Sequence, residues 1–400
     1  MSRIDDLIAE LCPAGVGRKR IGDIAVNSDR RRKPVTRSAR EIGQYPYYGA
    51  NGIQDYVKDY IFDGTFLLIG EDGSVKTANG KPVLNWATGK IWVNNHAHIL
   101  QARSEDELDL RYLYFALQAV DISPYVTGGT QPKLNQANMN MIEVPVPPLE
   151  VQREIVRILD QFAQLEVELE AELDAELEAR QVQFDYYRDT QLTFPESPRL
   201  LLGDVGSIFG GLTGKSKADF ANGNARFVSY VNVFNNIAVN TRADDFVQVR
   251  AHEKQRTLQR GDIIFTGSSE TAAEVGMSSV VTAEVSEPLY LNSFCIGFRP
   301  TDDDLIDPDF AKHLFRSDEM RRQIVRTASG VTRFNVSKAR LAQVEIPIPP
   351  KDEQRRLAGL LDSFKALVND ISTGLAAERG ARHKQYEYYR DKLLTFSEIG

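Results

Sequence analysis

The chain repeats itself in one register. Residues 128–194 and 330–396 align without a gap, at a constant offset of 202 positions. The first copy contains VPVPPLEVQREIVRILDQF and ends in YYRDTQLTF, and the second contains IPIPPKDEQRRLAGLLDSF and ends in YYRDKLLTF. A duplicated segment that keeps its length so strictly predicts a spacer of fixed length between two similar modules.

Two larger, more divergent segments precede the two copies. Ile21-Gly22-Asp23-Ile24 matches Leu202-Gly203-Asp204-Val205, and the offset between matching positions grows along the chain from 181 to 197 to 202. That growth fits a second module with two net loop insertions. The predicted order is therefore module, spacer, module, spacer, with domains at residues 1–148, 149–194, 195–350 and 351–396.

The modules have the composition of mixed structures. TFLLIGEDG, GKIWVNNHAHILQA, GDIIFTG and LNSFCIGFRP cluster branched and aromatic residues between glycines, which predicts short strands with tight turns. LRYLYFALQAV and FAKHLFRS predict short helices. The fold class is α+β: two α/β modules with strand-rich cores, separated by two long helices.

The spacers have helical periodicity. No Pro or Gly occurs between Glu150 and Pro195, and forty-one residues at about 1.5 Å each give a helix of roughly 60 Å. Neither amphipathic helix can bury its apolar stripe alone, so we expect antiparallel packing of the two, with the modules related by a pseudo-two-fold axis. The stripe residues are Ile155, Leu159, Phe162, Leu165, Leu169, Leu173 and Leu177 in the first helix, and Leu357, Leu361, Phe364, Leu367, Ile371 and Leu375 in the second.

The first spacer also contains a run of tetrads, LEVE-LEAE-LDAE-LEAR, with leucine at 165, 169, 173 and 177. One tetrad changes the length of a helix by roughly 6 Å. On duplex DNA, at about 3.4 Å per base pair, that is close to two base pairs. We therefore hypothesise that the tetrad count sets the gap between two half-sites. The alternative is an ordinary Glu-rich helix with a leucine seam.

Charge is distributed unevenly. Residues 150–190 hold 12 acidic and 4 basic side chains, a net charge of −8, which is the same as the net charge of the whole chain. Residues 18–40 hold 9 basic and 2 acidic side chains, a net of +7. A local basic patch sets the field at a phosphate backbone, whereas a solvated basic loop is the simpler reading. Cys12 and Cys295 form no disulfide framework, no apolar run is long enough for a membrane span, and a cytoplasmic setting is expected.

No convincing catalytic or metal-binding set is found. FGGLTGKS lacks the first glycine of a phosphate-binding loop because Phe209 stands at that position. His96 and His98 alternate on a predicted strand without a third ligand, so core or surface histidines are the better interpretation. We predict no catalytic residue and no metal site in this chain, which favours a recognition subunit.

Several polar loops favour DNA binding. Two similar modules held at a fixed separation suit a ligand with approximate two-fold symmetry, and duplex DNA is the commonest such ligand. QYPYYGANGIQDY combines aromatic residues, Asn and Gly, and TGGTQPKLN has a counterpart in SGVTRFNVS. Short loops of this kind can contact phosphates and base edges together. The predicted DNA contacts are Arg31, Arg32, Lys33, Tyr47, Tyr48, Asn51, Gly52, Lys76, Thr130, Gln131 and Lys133 in the first module, and Lys215, Ser229, Asn232, Ser268, Ser269, Thr332, Arg333 and Asn335 in the second.

These motifs together identify a family. Over nearly its whole length the chain resembles the DNA-specificity subunits of type I restriction–modification systems. The motifs are YPYYGANGIQDY, ATGKIWVNNHAHIL, GGTQPKLN and the twin spacers. In the second copy, Val331 and Phe334 replace Gly129 and Pro132, which makes the roles of Thr332 and Arg333 less secure.

The resemblance implies two target-recognition domains that read the halves of a split site in double-stranded DNA. It implies two partner modification subunits that methylate adenine with S-adenosylmethionine, and restriction subunits that translocate DNA with ATP and Mg²⁺. This chain itself would hold no cofactor. Two alternatives remain open: a coiled-coil adaptor without base readout, and a self-contained DNA-modifying enzyme, which would be active without partners.

Overall fold

The computed structural model describes residues 3–129 and 131–397. The chain forms two compact units, one made of residues 1–172 and 376–400 and the other of residues 173–375. Each unit takes part of both long helices, so the units divide the chain inside the predicted spacers. The four-segment division into domains stays a prediction.

The first unit is built on a six-stranded sheet in the order β2-β7-β5-β6-β3-β4. Strands β5 and β6 pair antiparallel over eight residues, from Phe62 opposite Ile91 to Ile69 opposite Leu84. A separate pair, β1 with β8, joins the start of the module to its end. The elements are α1 Arg3–Leu11, β1 Arg18–Arg20, α2 Ile21–Ile24, β2 Ala25–Asn27, β3 Ile42–Gly49, β4 Gly52–Val57, β5 Phe62–Gly70, β6 Leu84–Val93, β7 Ala97–Ala102, α3 Leu110–Ala119, α4 Gln136–Asn140, β8 Glu143–Pro145 and α5 Leu149–Gln191.

The second unit has a four-stranded sheet in the order β10-β17-β13-β15, with two smaller three-stranded sheets. The pair β9 with β20 repeats the role of β1 with β8. The elements are β9 Arg199–Leu201, α6 Leu202–Val205, β10 Gly206–Gly210, β11 Ala225–Val228, α7 Tyr230–Asn235, β12 Phe246–Val247, β13 Ile263–Thr266, β14 Ser268–Ser269, β15 Ser278–Val280, β16 Leu289–Leu291, β17 Cys295–Pro300, α8 Pro308–Leu314, α9 Asp318–Arg326, β18 Ala328–Ser329, β19 Phe334–Val336, α10 Lys338–Leu341, β20 Glu345–Pro347 and α11 Lys351–Leu393.

The fold class is α+β, as predicted, and the strands and short helices lie where the sequence placed them. Both spacers form unbroken helices, and the tetrad run lies within α5. In the first unit α5 and α11 run antiparallel, since the Phe162 ring stacks on Tyr389 while Glu166, further along α5, pairs with His383, earlier in α11. In the described part of the chain no helix is long and apolar enough to cross a bilayer.

The apolar stripe does more than join the two helices. Ile155 and Leu159 are fully buried in the core of the first module, and Leu357 and Leu361 in the core of the second. Of the expected helix-to-helix set, Phe364 packs edge-to-face on Phe184 and Tyr187 within the second unit.

Other members of the stripe were expected to be buried and are not. Leu165 and Leu367 are each 59% exposed, and Phe162 and Ile371 are also exposed. Leu169, Leu173, Leu177 and Leu375 are half-buried.

Candidate nucleic-acid interface

A single glutamine attaches each long helix to its module. The fully buried Gln152 accepts a hydrogen bond from the Asp109 backbone N–H at 2.9 Å, and its amide nitrogen donates to the carbonyls of Glu107 and Pro147. Gln354 makes the same three bonds, to the Asp307 N–H and to the carbonyls of Leu305 and Pro349. Asp109 and Asp307 cap α3 and α8. Gln152 and Gln354 occupy equivalent positions in the two repeats, 202 residues apart, and this equivalence was the sequence signal for the attachment. The structural role of the two glutamines was not predicted.

The basic segment of the first module divides between exposed and internal side chains. Arg31 and Lys33 are exposed, and Arg31 also lies over the Phe62 ring. Arg32 is only 13% exposed; it pairs with Glu71 at 2.6 Å and donates to the Ala97 carbonyl. The prediction that Arg32 contacts DNA is therefore corrected, because its guanidinium group is paired inside the module.

Arg32 belongs to a charged cluster with the largely buried Asp29, Glu71 and His98 and with the exposed Lys133. His98 Nδ1 lies 2.5 Å from Asp29 Oδ2 and its Nε2 lies 2.7 Å from the Leu134 carbonyl, so both ring nitrogens are engaged. Burial raises the pKa of the Asp29 carboxyl, but hydrogen bonds from His98 and Asn27 and the charge of Arg32 outweigh it and lower the pKa overall. Asp29, Glu71 and His98 offer metal-type ligands, yet Arg32 and Lys133 already neutralise Glu71. The cluster joins the basic segment to the loop at residues 127–135.

The aromatic loop is a β-hairpin in which Tyr47 and Tyr48 point inward, whereas Tyr56 is exposed. Tyr47 and Tyr48 are buried, the Tyr47 hydroxyl accepts from the Val35 N–H, and Arg40 stacks on its ring at 4.2 Å. Gly52 is also buried and serves the turn with φ +97°. The prediction that these three residues are exposed for DNA contact is wrong. The rings of Tyr47 and Tyr48 fill the interior of the module, and Gly52 forms the buried turn. Asn51 alone is exposed at the hairpin tip.

The loops GGTQPK and SGVTRF have the same construction. Gly128, with φ +85°, and Gly330, with φ +144°, both place their Cα against a carbonyl three residues ahead, where a Cβ would lie 2.4 Å and 1.9 Å away respectively. Gln131 and Lys133 are exposed, and Thr130 lies outside the described residues. Lys76, exposed nearby, donates to Ser123 Oγ.

In the second module Arg333 of the loop SGVTRF lines an open groove of about 430 Å³, together with Tyr230, Phe234, Ser268, Ser269, Glu270, Glu274 and Phe294. Thr332, Arg333 and Asn335 are exposed, and Ser269 is half-buried. Arg333 donates two hydrogen bonds to the buried Ser268 hydroxyl, so Ser268 holds the Arg333 side chain in place and is corrected as a direct contact.

Three further predicted contacts of the second module are occupied internally. The Lys215 side chain is 3% exposed, donates to the Gln248 carbonyl and pairs with Glu253, whose pKa it lowers. Asn232 is buried and bonds to the backbone of Asn240. Ser229 is half-buried and caps α7. Lys215 and Asn232 are therefore corrected as contacts.

Sequence reasoning missed an exposed basic stretch in the same module. Arg250, Lys254 and Arg256 are exposed, and Arg256 stacks on the Phe209 ring at 4.7 Å. The letters RAHEKQR carried the signal, since three basic residues recur within seven positions.

Comparisons with known proteins agree with this architecture. A family model described as the type I restriction modification DNA specificity domain matches residues 13–179 and again residues 200–378. A Haemophilus influenzae protein assigned as a type I restriction enzyme specificity subunit is 35% identical over 384 residues, covering 95% of each chain. A type I restriction enzyme specificity subunit of Escherichia coli is 28% identical over 356 residues, 83% of this chain and 85% of that protein.

Among solved structures, one described as concerning complex assembly and conformational transition of the type I R-M system superposes with a TM-score of 0.64. It covers 95% of this chain and 97% of that one at 15% identity, which supports the fold alone. From the duplicated family match and the full-length relatives, the chain belongs to the family of type I restriction–modification DNA-specificity subunits, which recognise DNA without catalysing a reaction.

Proposed function

We propose that this chain reads a bipartite site in double-stranded DNA, one half-site with each module. The observation that carries the proposal is the repeated construction: two dissimilar modules are attached to long helices through the same three glutamine hydrogen bonds. The attachment is preserved while the loops differ, as expected if each module reads its own sequence at a fixed interval.

The proposed DNA contacts are the exposed members of the predicted set, the half-buried Ser269, which lines the groove beside Arg333, and the missed basic stretch. Lys and Arg side chains supply phosphate contacts, and Asn, Gln and Arg side chains supply base-edge contacts. The set is Arg31, Lys33, Asn51, Lys76, Gln131 and Lys133 in the first module, and Ser269, Thr332, Arg333, Asn335, Arg250, Lys254 and Arg256 in the second. Thr130 stays an expectation.

We propose that the helices also dock two modification subunits. Exposed Leu165 and Val167 lie on α5, whose middle is strongly acidic, so exposed apolar side chains are flanked by carboxylates; Leu367 on α11 is exposed as well. A partner with an apolar helix face and basic flanks would cover both. S-adenosylmethionine would be held by those partners, and ATP and Mg²⁺ by restriction subunits that join the complex.

The experiment is to express the chain with the modification subunits and map methylated adenines by genome sequencing. A two-part motif with a constant gap supports the proposal. Binding of the partners without any sequence preference would indicate an adaptor, and methylation by the purified chain alone would indicate an enzyme. Exchanging Arg333 for Ala should alter one half of the motif only, whereas Arg322→Ala, on the exposed face of α9, is the matched control.

A further inference from the structure

The second unit contains a cavity of about 870 Å³ that the proposed function does not use. It lies between the last part of α5, the first part of α11, helices α8 and α9, and the loop ends at residues 235–238 and 273–277. Its basic lining residues are Arg188, Arg316, Arg321 and Lys365, and its one carboxylate is Asp185. The charge of the lining is therefore strongly positive.

Neutral groups hold the two central arginines in place. Arg316 donates to the carbonyls of Ser278, Val233, Phe234 and Asn236. Arg321 donates to the carbonyls of Gly276, Ala273 and Val275. Carbonyl oxygens satisfy N–H groups but leave a net positive charge in a half-buried site. Across residues 3–129 and 131–397, no carboxylate forms an ion pair with either arginine.

Lys365 adds a third cation without an ion-pair partner among those same residues. Its Nζ lies 3.3 Å from Gln181 Oε1 and 5.0 Å from the centre of the Phe184 ring, whereas Arg188 is paired with Asp185 and Asp189. Burial lowers the pKa of Arg321 to about 10, and burial with the charges of Arg321 and Arg188 lowers the pKa of Arg316 to about 10. Burial also lowers the pKa of Lys365; Asp185 opposes this, and Arg188 and Arg316 add to it.

The first half of the chain lacks two of these charges, those of Lys365 and Arg316, whereas Arg188 has a counterpart in Arg390. At the offset of 202 that relates the spacers, Lys365 corresponds to Ala163. At the offset of 198 that relates the capping aspartates of α3 and α8, Arg316 corresponds to Gln118. The basic cavity is thus specific to the second half, so neither the attachment of a helix to its module nor the shared fold requires it.

We propose that this cavity binds a phosphate group, carried by a free nucleotide or by the DNA backbone. The fixed positive charges of two guanidinium groups beside a lysine ammonium group attract a phosphate group, and a dianion would offset the surplus charge. The volume lies within the range of small-molecule sites, so a whole nucleotide fits as well as a single phosphate. The inference stands apart from the reading of half-sites, because a nucleotide would bind here whether or not the loops read DNA.

The simpler reading is that Arg316 and Arg321 only brace the loops whose carbonyls they bind. Substituting either arginine would disturb those loops, so the test uses Lys365. Lys365→Ala introduces the residue that the first half of the chain already carries, Lys365→Arg retains the charge, and Lys384→Ala removes an exposed lysine elsewhere on α11. Thermal unfolding of each full-length variant checks that it is folded.

The measurement is a titration of inorganic phosphate followed by ³¹P NMR line width, at ionic strength held constant with chloride. We expect saturable binding to the unaltered chain, weakened about tenfold or more in Lys365→Ala and retained in Lys365→Arg and Lys384→Ala. No saturable binding, or equal binding by Lys365→Ala, would overturn the proposal.

The source of the phosphate is assigned by displacement. Release of bound phosphate by ATP but not by a duplex of arbitrary sequence assigns a nucleotide, and release by the duplex assigns the DNA backbone. Release by neither would overturn the proposal. Because the titration needs no partner subunit and no recognition site, its failure is distinguishable from failure of the methylation experiment.

Discussion

Replacing Gln152 with Ala should weaken the attachment of α5 to the first module more than any exposed substitution on that helix. The change removes the partner of a part-buried N–H, on Asp109, and of two carbonyls, a part-buried one on Glu107 and a buried one on Pro147. Each unsatisfied buried group costs about 1–3 kcal/mol, and relaxation recovers part, so the expected loss is about 3–6 kcal/mol. Gln354→Ala should cost somewhat less, since its bond to the Leu305 carbonyl is longer, at 3.3 Å.

The assay is hydrogen exchange followed by mass spectrometry on peptides covering the first turns of α3 and α8, with urea unfolding alongside. Gln152→Ala should accelerate exchange in the α3 peptide and leave the α8 peptide unchanged, and Gln354→Ala should do the reverse. The matched control is Gln164→Ala, an exposed glutamine whose side chain bonds only to Glu168, with an expected loss below about 0.5 kcal/mol. A loss below about 1 kcal/mol for Gln152→Ala, or one equal to the control, would refute the reasoning.

Two further predictions concern charged side chains. Lys33→Ala should lower the DNA affinity of the assembled complex and reduce the salt slope by about 1, as measured by filter binding. The adjacent Arg32→Ala should destabilise the first unit by roughly 3 kcal/mol in urea unfolding, because Glu71 and Asp29 each lose a cationic partner and the Ala97 carbonyl loses this donor. Burial lowers the pKa of His313 overall despite its bond to Asp362, so the unfolded chain binds more protons as pH falls below about 6.5. The stability that His313 contributes above that pH should be lost as the pH falls through the folded pKa. His313→Phe introduces the residue found at the equivalent position 115. It should remove the His313 contribution to the pH dependence of the unfolding free energy, measured by urea unfolding at pH 5 and pH 7.

Elements whose signal is local could be predicted from sequence. The strands β5, β13 and β17 and the long helices follow from spacing that a few neighbouring residues carry. The exposure of Asn51 and Gln131 also follows from local turn chemistry, because Gly52 and Gly128 have positive φ angles and form turns beside them.

Side chains whose partners are distant in sequence could not be predicted. Lys215 is buried because it pairs with Glu253, which lies 38 positions further along the chain. Arg32 is internal because it binds Glu71 and the Ala97 carbonyl, which are also distant in sequence. Tyr47 faces inward because the hairpin packs on the basic segment through Val35. Composition cannot distinguish such residues from surface contacts, since the same cationic and aromatic groups serve both.

The central claim is that the length of the paired helices sets the gap between the half-sites. Deleting Leu165–Glu168 removes one tetrad and brings the next tetrad into its register, so that Glu170 takes the position of Glu166, which pairs with His383. The measurement is the methylated adenine motif in a genome expressing the deletion variant with its modification subunits. The account predicts unchanged half-sites and a gap shorter by about two base pairs, since the helix loses roughly 6 Å. A full-strength motif with the original gap would contradict it.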